Sequence, residues 1–161
     1  TITGGAGIDV ITGGTGTDTI ILGTTAADAD TIATFTSGTD IIDLSASLTA
    51  ATLTVATILA AGSNTTITIA NVTIGANTDA EVYYIDNTRG LTTTQIETAI
   101  AAGNLATGQV VVIVDDSTDT FIYVDQAAQT DAGLGAGLIL VGTLLAITGG
   151  TAVQSADFVS T

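Results

Sequence analysis

The sequence contains no cysteine and no histidine, and Arg89 is its only basic residue. Without cysteine there is no disulfide framework, and without either residue type a structural zinc site and a Ser-His-Asp triad are excluded in this chain. Nucleic-acid phosphates and anionic membranes are bound through lysine and arginine, so we expect neither as a partner. A pair of carboxylates could in principle hydrolyse glycosides, but an aromatic content of 4% implies no aromatic-rich substrate cleft, and we expect the chain not to be an enzyme.

Methionine is also absent, so we expect the natural start of the protein to lie outside this sequence. No apolar run reaches the roughly 18 residues that a transmembrane helix needs, and direct membrane insertion is not expected. The apolar stretch 134–148, LGAGLILVGTLLAIT, is interrupted by glycine. It is therefore predicted to form strand and turn.

Acidic residues dominate what is present, with 16 Asp and Glu against one basic residue and a formal net charge of −15. The natural partner of so many carboxylates is a cation, and a donor set limited to oxygen favours hard ions, calcium first. The hydrophobic content of 46% over 161 residues is sufficient for one folded domain with a core.

Two consecutive copies of G-G-x-G-x-D-x-U-x, where U is a large aliphatic residue, begin at Gly4 and Gly13. Glycine permits positive φ, so a short turn can direct several carbonyl groups to one point, and the aspartate adds a carboxylate there. The triplet x-U-x then forms a short strand with its aliphatic side chain directed inward. A flexible Gly-Asp loop is the alternative, and two perfect copies argue against it.

This nonapeptide resembles the hemolysin-type calcium-binding repeat of RTX proteins. The resemblance implies a parallel β-roll in which two copies form one coil and calcium lies between copies n and n+2. Calcium takes about six to eight oxygen ligands, so two stacked turns are needed for one ion. The residues before Gly4, TIT, match the end of an earlier copy. We therefore expect upstream repeats of the same polypeptide as a partner of this segment.

The segment 22–32, LGTTAADADTI, has lost most of the repeat glycines and is interpreted as a degenerate closing turn. Asp9 with Asp28 or Asp30 would form one calcium site, whereas Asp18 requires an upstream copy or a later segment. One or two complete sites are expected. The candidate metal-binding residues are Gly4, Gly5, Ala6, Gly7, Asp9, Gly13, Gly14, Thr15, Gly16, Asp18, Asp28 and Asp30.

The next segment, TFTSGTDIIDLS at 34–45, resembles the end of the β-roll in many type I-secreted proteins, where a β-sandwich cap follows. Many relatives have Asp where this chain has Thr34, which puts that ligand in doubt. Asp40 and Asp43 are interpreted as solvent-facing residues at strand ends rather than as ligands. The resemblance divides the chain into a roll over 1–35 and an antiparallel β-sandwich cap over 36–161.

The predicted fold class is all-β, with one or two short helices in the cap. A short helix is favoured within 46–62, ending near Ala61, although its Thr and Val residues also favour strand. Capping-box spacing predicts a helix over 92–104. An acidic hairpin tip is expected at Asp115, Asp116 and Asp119. Strands are predicted at 65–74, 81–86, 109–116, 120–125 and 137–142.

The segments 119–142 and 155–161 resemble the C-terminal end of type I-secreted RTX proteins. There, Asp157, Phe158 and Val159 are similar to the uncleaved export signal. The resemblance implies the type I secretion apparatus as a partner and an extracellular location. The acidic loop 125–133 lacks the D-x-D-x-D-G pattern of an EF-hand and is interpreted as a solvated loop rather than a further calcium site.

The sequence therefore predicts a calcium-binding C-terminal domain that folds on extracellular calcium and carries the export signal. Its composition, rich in Thr, Ala and Gly, resembles surface-layer and adhesive proteins at the cell surface, with calcium-dependent self-association as a further expectation. One alternative is a non-catalytic module of a secreted hydrolase, which an upstream H-E-x-x-H or G-x-S-x-G motif would identify. A carbohydrate-binding module is the other, and an aromatic content of 4% disfavours it.

Overall fold

The computed structural model describes residues 1–48, 52–60, 79–86, 94, 110–116, 118–125, 137–147, 153 and 155–160. Within these ranges, strands predominate, and no helix is long and apolar enough to span a bilayer. Two 3₁₀ helices occupy Ala26–Asp28 and Ser155–Asp157. The strands are β1 Ile2–Thr3, β2 Val10–Thr12, β3 Thr19–Ile21, β4 Asp30–Thr34, β5 Ile41–Asp43, β6 Thr52–Ala60, β7 Asp79–Asp86, β8 Val110–Asp115, β9 Asp119–Asp125, β10 Ile139–Leu145 and β11 Phe158–Val159.

The described strands form two sheets, and the first five strands alternate between them. One sheet has the order β1-β3-β5-β11 and the other β2-β4-β10-β9-β8-β7-β6. The pairs β1–β3, β3–β5 and β2–β4 are all parallel. Each connection between consecutive strands therefore crosses from one sheet to the other, and successive connections lie at opposite edges.

The aliphatic residues of the repeats lie in a core between the two sheets. Ile20 pairs in register with Ile42, which pairs with Phe158 in the next strand. In the other sheet, Ile11 pairs with Ile32. Ile20 and Ile42 are fully buried, and Ile11 is 4% exposed. This confirms that the U position of each copy points inward, where each buried side chain contributes about 1.5–3 kcal/mol.

Both sheets continue across the predicted boundary between residues 35 and 36. Strand β4 pairs in parallel with β10, and β5 pairs in parallel with β11. Strand pairing therefore connects the repeat segment directly to the C-terminal part of the chain.

Strand pairing after residue 50 is mixed, whereas an antiparallel cap was expected. β8, β9 and β10 are antiparallel neighbours, but β6–β7 and β7–β8 are parallel. Parallel neighbours need crossover connections of about a dozen residues or more. The connections 61–78 and 87–109 are long enough for this, and the antiparallel expectation took no account of their length.

The short helix expected within 46–62 is wrong, because Thr52–Ala60 forms β6 and pairs along its length with β7. The β-branched residues there favour strand, and pairing decides between the two tendencies. The strands expected at 81–86, 109–116, 120–125 and 137–142 are confirmed as β7 to β10. Thr94 is helical, but the rest of the predicted helix 92–104 and the strand at 65–74 lie outside the described residues.

The acidic hairpin joins β8 to β9, as predicted. Asp116 Oδ1 accepts the backbone N–H groups of Thr118 and Asp119, each at 2.9 Å. Asp115 differs from the expectation of an exposed tip, because it is 2% exposed and belongs to the buried strand β8.

Candidate metal centre

Four turns connect the alternating strands, and they stack in pairs at the two edges. The first turn (4–9) and the third turn (22–29) lie at one edge, here called the first edge. The second turn (13–18) and the fourth turn (35–40) lie at the opposite, second edge. This arrangement follows from the alternation of β1 to β5 between the two parallel sheets.

The two nonapeptide copies adopt the same backbone conformation. Gly5 and Gly7 have φ of 96° and 99°, and Gly14 and Gly16 have φ of 90° and 107°. Residues with a Cβ rarely adopt these values. The second and third glycines of each copy are therefore required by the turn itself.

At the first edge, the third turn and the first residue of β4 bring two carboxylates to the first turn. The Gly7 N–H donates to Asp28 Oδ1 at 3.0 Å, and the Asp9 N–H donates to Asp30 Oδ1 at 3.0 Å. The Thr31 N–H donates in return to the Asp9 carbonyl at 2.8 Å. The repeat aspartate of the first turn is thus hydrogen-bonded through its main chain to the aspartate that follows the third turn and begins β4.

The carboxylates at the first edge are close enough to influence one another. Burial raises the pKa of Asp30, the Asp9 N–H opposes that shift, and the negative charges of Asp9 and Asp28 add to it. The Gly7 N–H and the Thr25 hydroxyl lower the pKa of Asp28. Repulsion among three carboxylates at one edge is what a bound cation would relieve.

A pocket of about 350 Å³ lies between the first and third turns, and its lining includes Gly5, Ala6, Gly23, Asp28 and Asp30. Beside this pocket, the backbone at Gly4 lies close to the Asp30 side chain, since a Cβ at Gly4 would lie 2.7 Å from Asp30 Oδ2. Glycine is therefore needed at the first position of this copy to make room for the carboxylate.

The second edge repeats the same ladder with Asp18 and Asp40. The Asp18 N–H donates to Asp40 Oδ1 at 3.1 Å, and the Ile41 N–H donates to the Asp18 carbonyl at 2.8 Å. Asp40 Oδ2 also accepts the Thr36 N–H at 2.8 Å. Asp40 is 2% exposed, so its interpretation as a solvent-facing residue is wrong.

The sequence does contain a local signal for the position of Asp40. The triplet Gly-Thr-Asp at 38–40 repeats the triplet at 16–18, and Gly38, like Gly16, has a positive φ. The fourth turn lacks the leading glycine pair of the nonapeptide, which is why the full motif does not match there.

The carboxylate of Asp18, at the second edge, is incompletely hydrogen-bonded. Its Oδ2 is buried and has no hydrogen-bond partner among the described residues. A buried carboxylate oxygen without a partner costs about 1–3 kcal/mol or more. A hard cation bound by Asp18 would remove that cost, so the residues at this edge fit such an ion.

No protein-family model matches the chain, and no curated protein matches its sequence. A function for the chain therefore rests on the geometry of the two edges.

The structure does not unite all the predicted ligands in one place. Asp28 and Asp30 lie at the first edge and Asp18 at the second. Among the described side chains, no three acidic groups converge into a ready-made metal cluster. An ion at either edge would need backbone carbonyl groups of the turns in addition to carboxylates, and calcium accepts such mixed oxygen donors.

Proposed function

We propose that this chain is a calcium-binding domain of the RTX type, whose stacked turns form a short parallel β-roll and bind calcium at both edges. The observation that carries the proposal is the pair of aspartate ladders, Asp9 to Asp30 and Asp18 to Asp40, with the buried Asp18 Oδ2 left without a partner. Two equivalent ladders on opposite edges argue for a repeated function rather than a chance arrangement of loops.

The residues that would hold calcium at the first edge are Asp9 and Asp30, with backbone carbonyl groups of residues 4–7. Both oxygens of Asp28 already accept hydrogen bonds, from the Gly7 N–H and the Thr25 hydroxyl, so its proposed role is to hold the first and third turns together. At the second edge, Asp18 would provide the carboxylate, with carbonyl groups of residues 13–16. Both oxygens of Asp40 already accept backbone N–H groups, so its proposed role is to hold the second and fourth turns together. Calcium would supply positive charge that fixes the turns and offsets carboxylate repulsion.

Calcium would act on the folding of the domain. Where calcium is scarce, carboxylate repulsion and the chain entropy of the glycine-rich turns oppose folding. At millimolar calcium, a site with a dissociation constant of about 10⁻⁴ M gains roughly 1–2 kcal/mol by mass action. Two such sites form a substantial part of a typical margin of about 5–15 kcal/mol.

The proposal includes export by a type I system, with the signal in Asp157, Phe158 and Val159, and a location outside the cell. The domain itself would be non-catalytic, since the chain has no histidine, no cysteine and a single basic residue. Upstream repeats of the same polypeptide would extend the roll. The parent protein is proposed to be a surface-layer or adhesive protein, in which calcium also bridges acidic faces of neighbouring subunits.

Thermal unfolding in millimolar calcium, in millimolar magnesium and in chelator tests the calcium proposal. The wild type should melt several degrees higher in calcium, because each kcal/mol raises the melting temperature by about 2–4 °C in a chain of this size. Combining Asp18→Asn with Asp9→Asn should remove most of that gain. Asp116→Asn, which removes one charge from the β8–β9 hairpin and from neither ladder, should retain it. Equal melting temperatures of the wild type in calcium and chelator would refute the proposal.

Sedimentation of concentrated protein tests the surface-layer part separately. Calcium-dependent sheets or large oligomers would support it, whereas a strict monomer at high calcium and protein concentration would contradict it.

A further inference from the structure

The C-terminal segment 155–160, here called the latch, forms a third layer at the second edge. The Gly38 N–H donates to Asp157 Oδ1 and the Ser37 hydroxyl donates to Asp157 Oδ2, both at 2.7 Å. Asp157 is 1% exposed. A residue more than a hundred positions along the chain therefore caps the fourth turn.

The latch makes the same kind of hydrogen bond at the second edge that the third turn makes at the first edge. Asp28 and Asp157 are each the last residue of a 3₁₀ helix that lies just before a parallel strand. Each accepts the N–H of a positive-φ glycine two residues before a ladder aspartate, Gly7 before Asp9 and Gly38 before Asp40. The latch thus takes the place of a further stacked turn, although it comes from a distant part of the sequence.

The latch is also anchored in the core. Phe158 is 4% exposed and pairs in register with Ile42 of β5. The Leu44 N–H donates to the Val159 carbonyl at 2.8 Å. Undocking the latch would therefore expose an aromatic side chain and break strand pairing as well as the cap on the fourth turn.

The fourth turn contacts both the candidate cation site and the latch. Through Asp40 it accepts the Asp18 N–H on one side, and through Gly38 and Ser37 it donates to Asp157 on the other. Asp40 also accepts the Thr36 N–H, so it ties the start of the turn to its end. A change in the order of the fourth turn therefore alters its hydrogen bonds both to the second turn and to the latch.

We propose that calcium binding at Asp18 and docking of the latch stabilise each other through the fourth turn. This inference rests on the proposed calcium function and adds a conformational role for the C-terminus. An ion on Asp18 orders the second turn, the ladder orders the fourth turn, and the ordered fourth turn presents its two donors to Asp157. Thermodynamic linkage requires the reverse effect, so an undocked latch weakens calcium binding by the same factor.

Hydrogen exchange of the latch, followed by mass spectrometry, measures the coupling directly. In the wild type, calcium should slow exchange of residues 155–160 by about 5- to 150-fold, the usual range for coupled sites. Asp18→Asn should abolish most of this slowing while keeping the Asp18 N–H that donates to Asp40. Asp28→Asn, which removes a carboxylate from the opposite edge only, is the matched control and should preserve it.

The reciprocal measurement is calcium affinity in a latch variant. Asp157→Asn keeps an acceptor for the Gly38 N–H but loses the acceptor for the Ser37 hydroxyl. It should weaken the second-edge site by the factor measured in hydrogen exchange and leave the first-edge site unchanged. Hydrogen exchange of the variant without calcium checks two points. Protected amides in the core show that Asp157→Asn still folds, and faster exchange in the fourth turn than in the wild type shows that this turn is loosened.

The outcomes separate this inference from the function on which it rests. Saturable calcium binding without any change in latch exchange would overturn the coupling and leave the calcium function intact. Equal loss of latch protection in Asp18→Asn and Asp28→Asn would also overturn it, because the effect would then be global. Absence of calcium binding in the wild type would overturn both.

Discussion

Asp28 and Asp30 are two residues apart at the same edge and respond to pH in opposite directions. Asp28 is stabilised as the carboxylate by the Gly7 N–H, so its contribution to stability is lost as the pH falls through its lowered pKa. Burial raises the pKa of Asp30 above 3.8. Its contribution is therefore present below 3.8 and is lost as the pH rises through the raised value.

Replacing Asp30 with Asn should stabilise the calcium-free protein at neutral pH. Asn keeps an acceptor for the Asp9 N–H and removes a buried charge that faces Asp9 and Asp28. We expect Asp30→Asn to melt above the wild type in chelator at pH 7, and the difference to shrink as the pH falls through the raised pKa of Asp30 and to vanish below 3.8. The same variant should gain less from calcium. A melting temperature below that of the wild type at pH 7 in chelator would contradict the role of burial.

A second prediction concerns the turn glycines. Gly16 has φ of 107°, and a Cβ added there would meet nothing within 4 Å. Gly16→Ala should therefore cost about 1–2 kcal/mol of unfolding free energy through backbone strain alone. Thr15→Ala, at the exposed neighbouring position, is the control and should stay within about 0.5 kcal/mol. Chemical denaturation measures both, and equal stabilities would show that the positive φ carries no penalty.

At the residue scale, local chemistry was predictable and distant contacts were not. Glycine spacing and the aliphatic U position predict the turn conformation and the inward-facing Ile20. The burial of Asp40 depends on stacking against the second turn. The role of Asp157 depends on a hydrogen bond between residues 119 positions apart, which no local pattern encodes.

At the scale of the strand, the core depends on a few aliphatic side chains. Ile20 is fully buried between the sheets, whereas Val10, in strand β2 of the other sheet, is 72% exposed. Ile20→Ala should lower the unfolding free energy by about 2–5 kcal/mol through the cavity it leaves. Val10→Ala should change it by less than about 0.5 kcal/mol. Equal losses from the two variants, measured by denaturant titration in calcium, would contradict the assignment of the core.

Strands were predictable where a segment has a strand-like composition of its own. They were not predictable where pairing with a neighbouring strand decides between helix and strand. The segments that became β7 to β10 contain β-branched or aromatic residues between clear turn signals. The segment 52–60 mixes helix-favouring Ala and Leu with Thr and Val, and pairing with β7 makes it a strand. The parallel order β6–β7–β8 depends on pairing between segments distant in sequence, which a local pattern does not contain.

At the scale of the molecule, charge and topology act together. A net charge of −15 opposes a compact state, and both ladders bring carboxylates closer together than a random chain would. The repeat alone predicts that turns stack at two edges. It does not predict that β10 and β11 extend the two sheets, because these strands are distant in sequence and have no repeat signature.

Calorimetric calcium titration of the chelator-stripped protein, with far-UV circular dichroism recorded on the same samples, tests the central claim most directly. The account predicts saturable binding of calcium in a millimolar or tighter range, with a gain of β signal and no comparable response to magnesium. The account is contradicted if no binding is detected, or if binding leaves the circular dichroism and thermal stability unchanged.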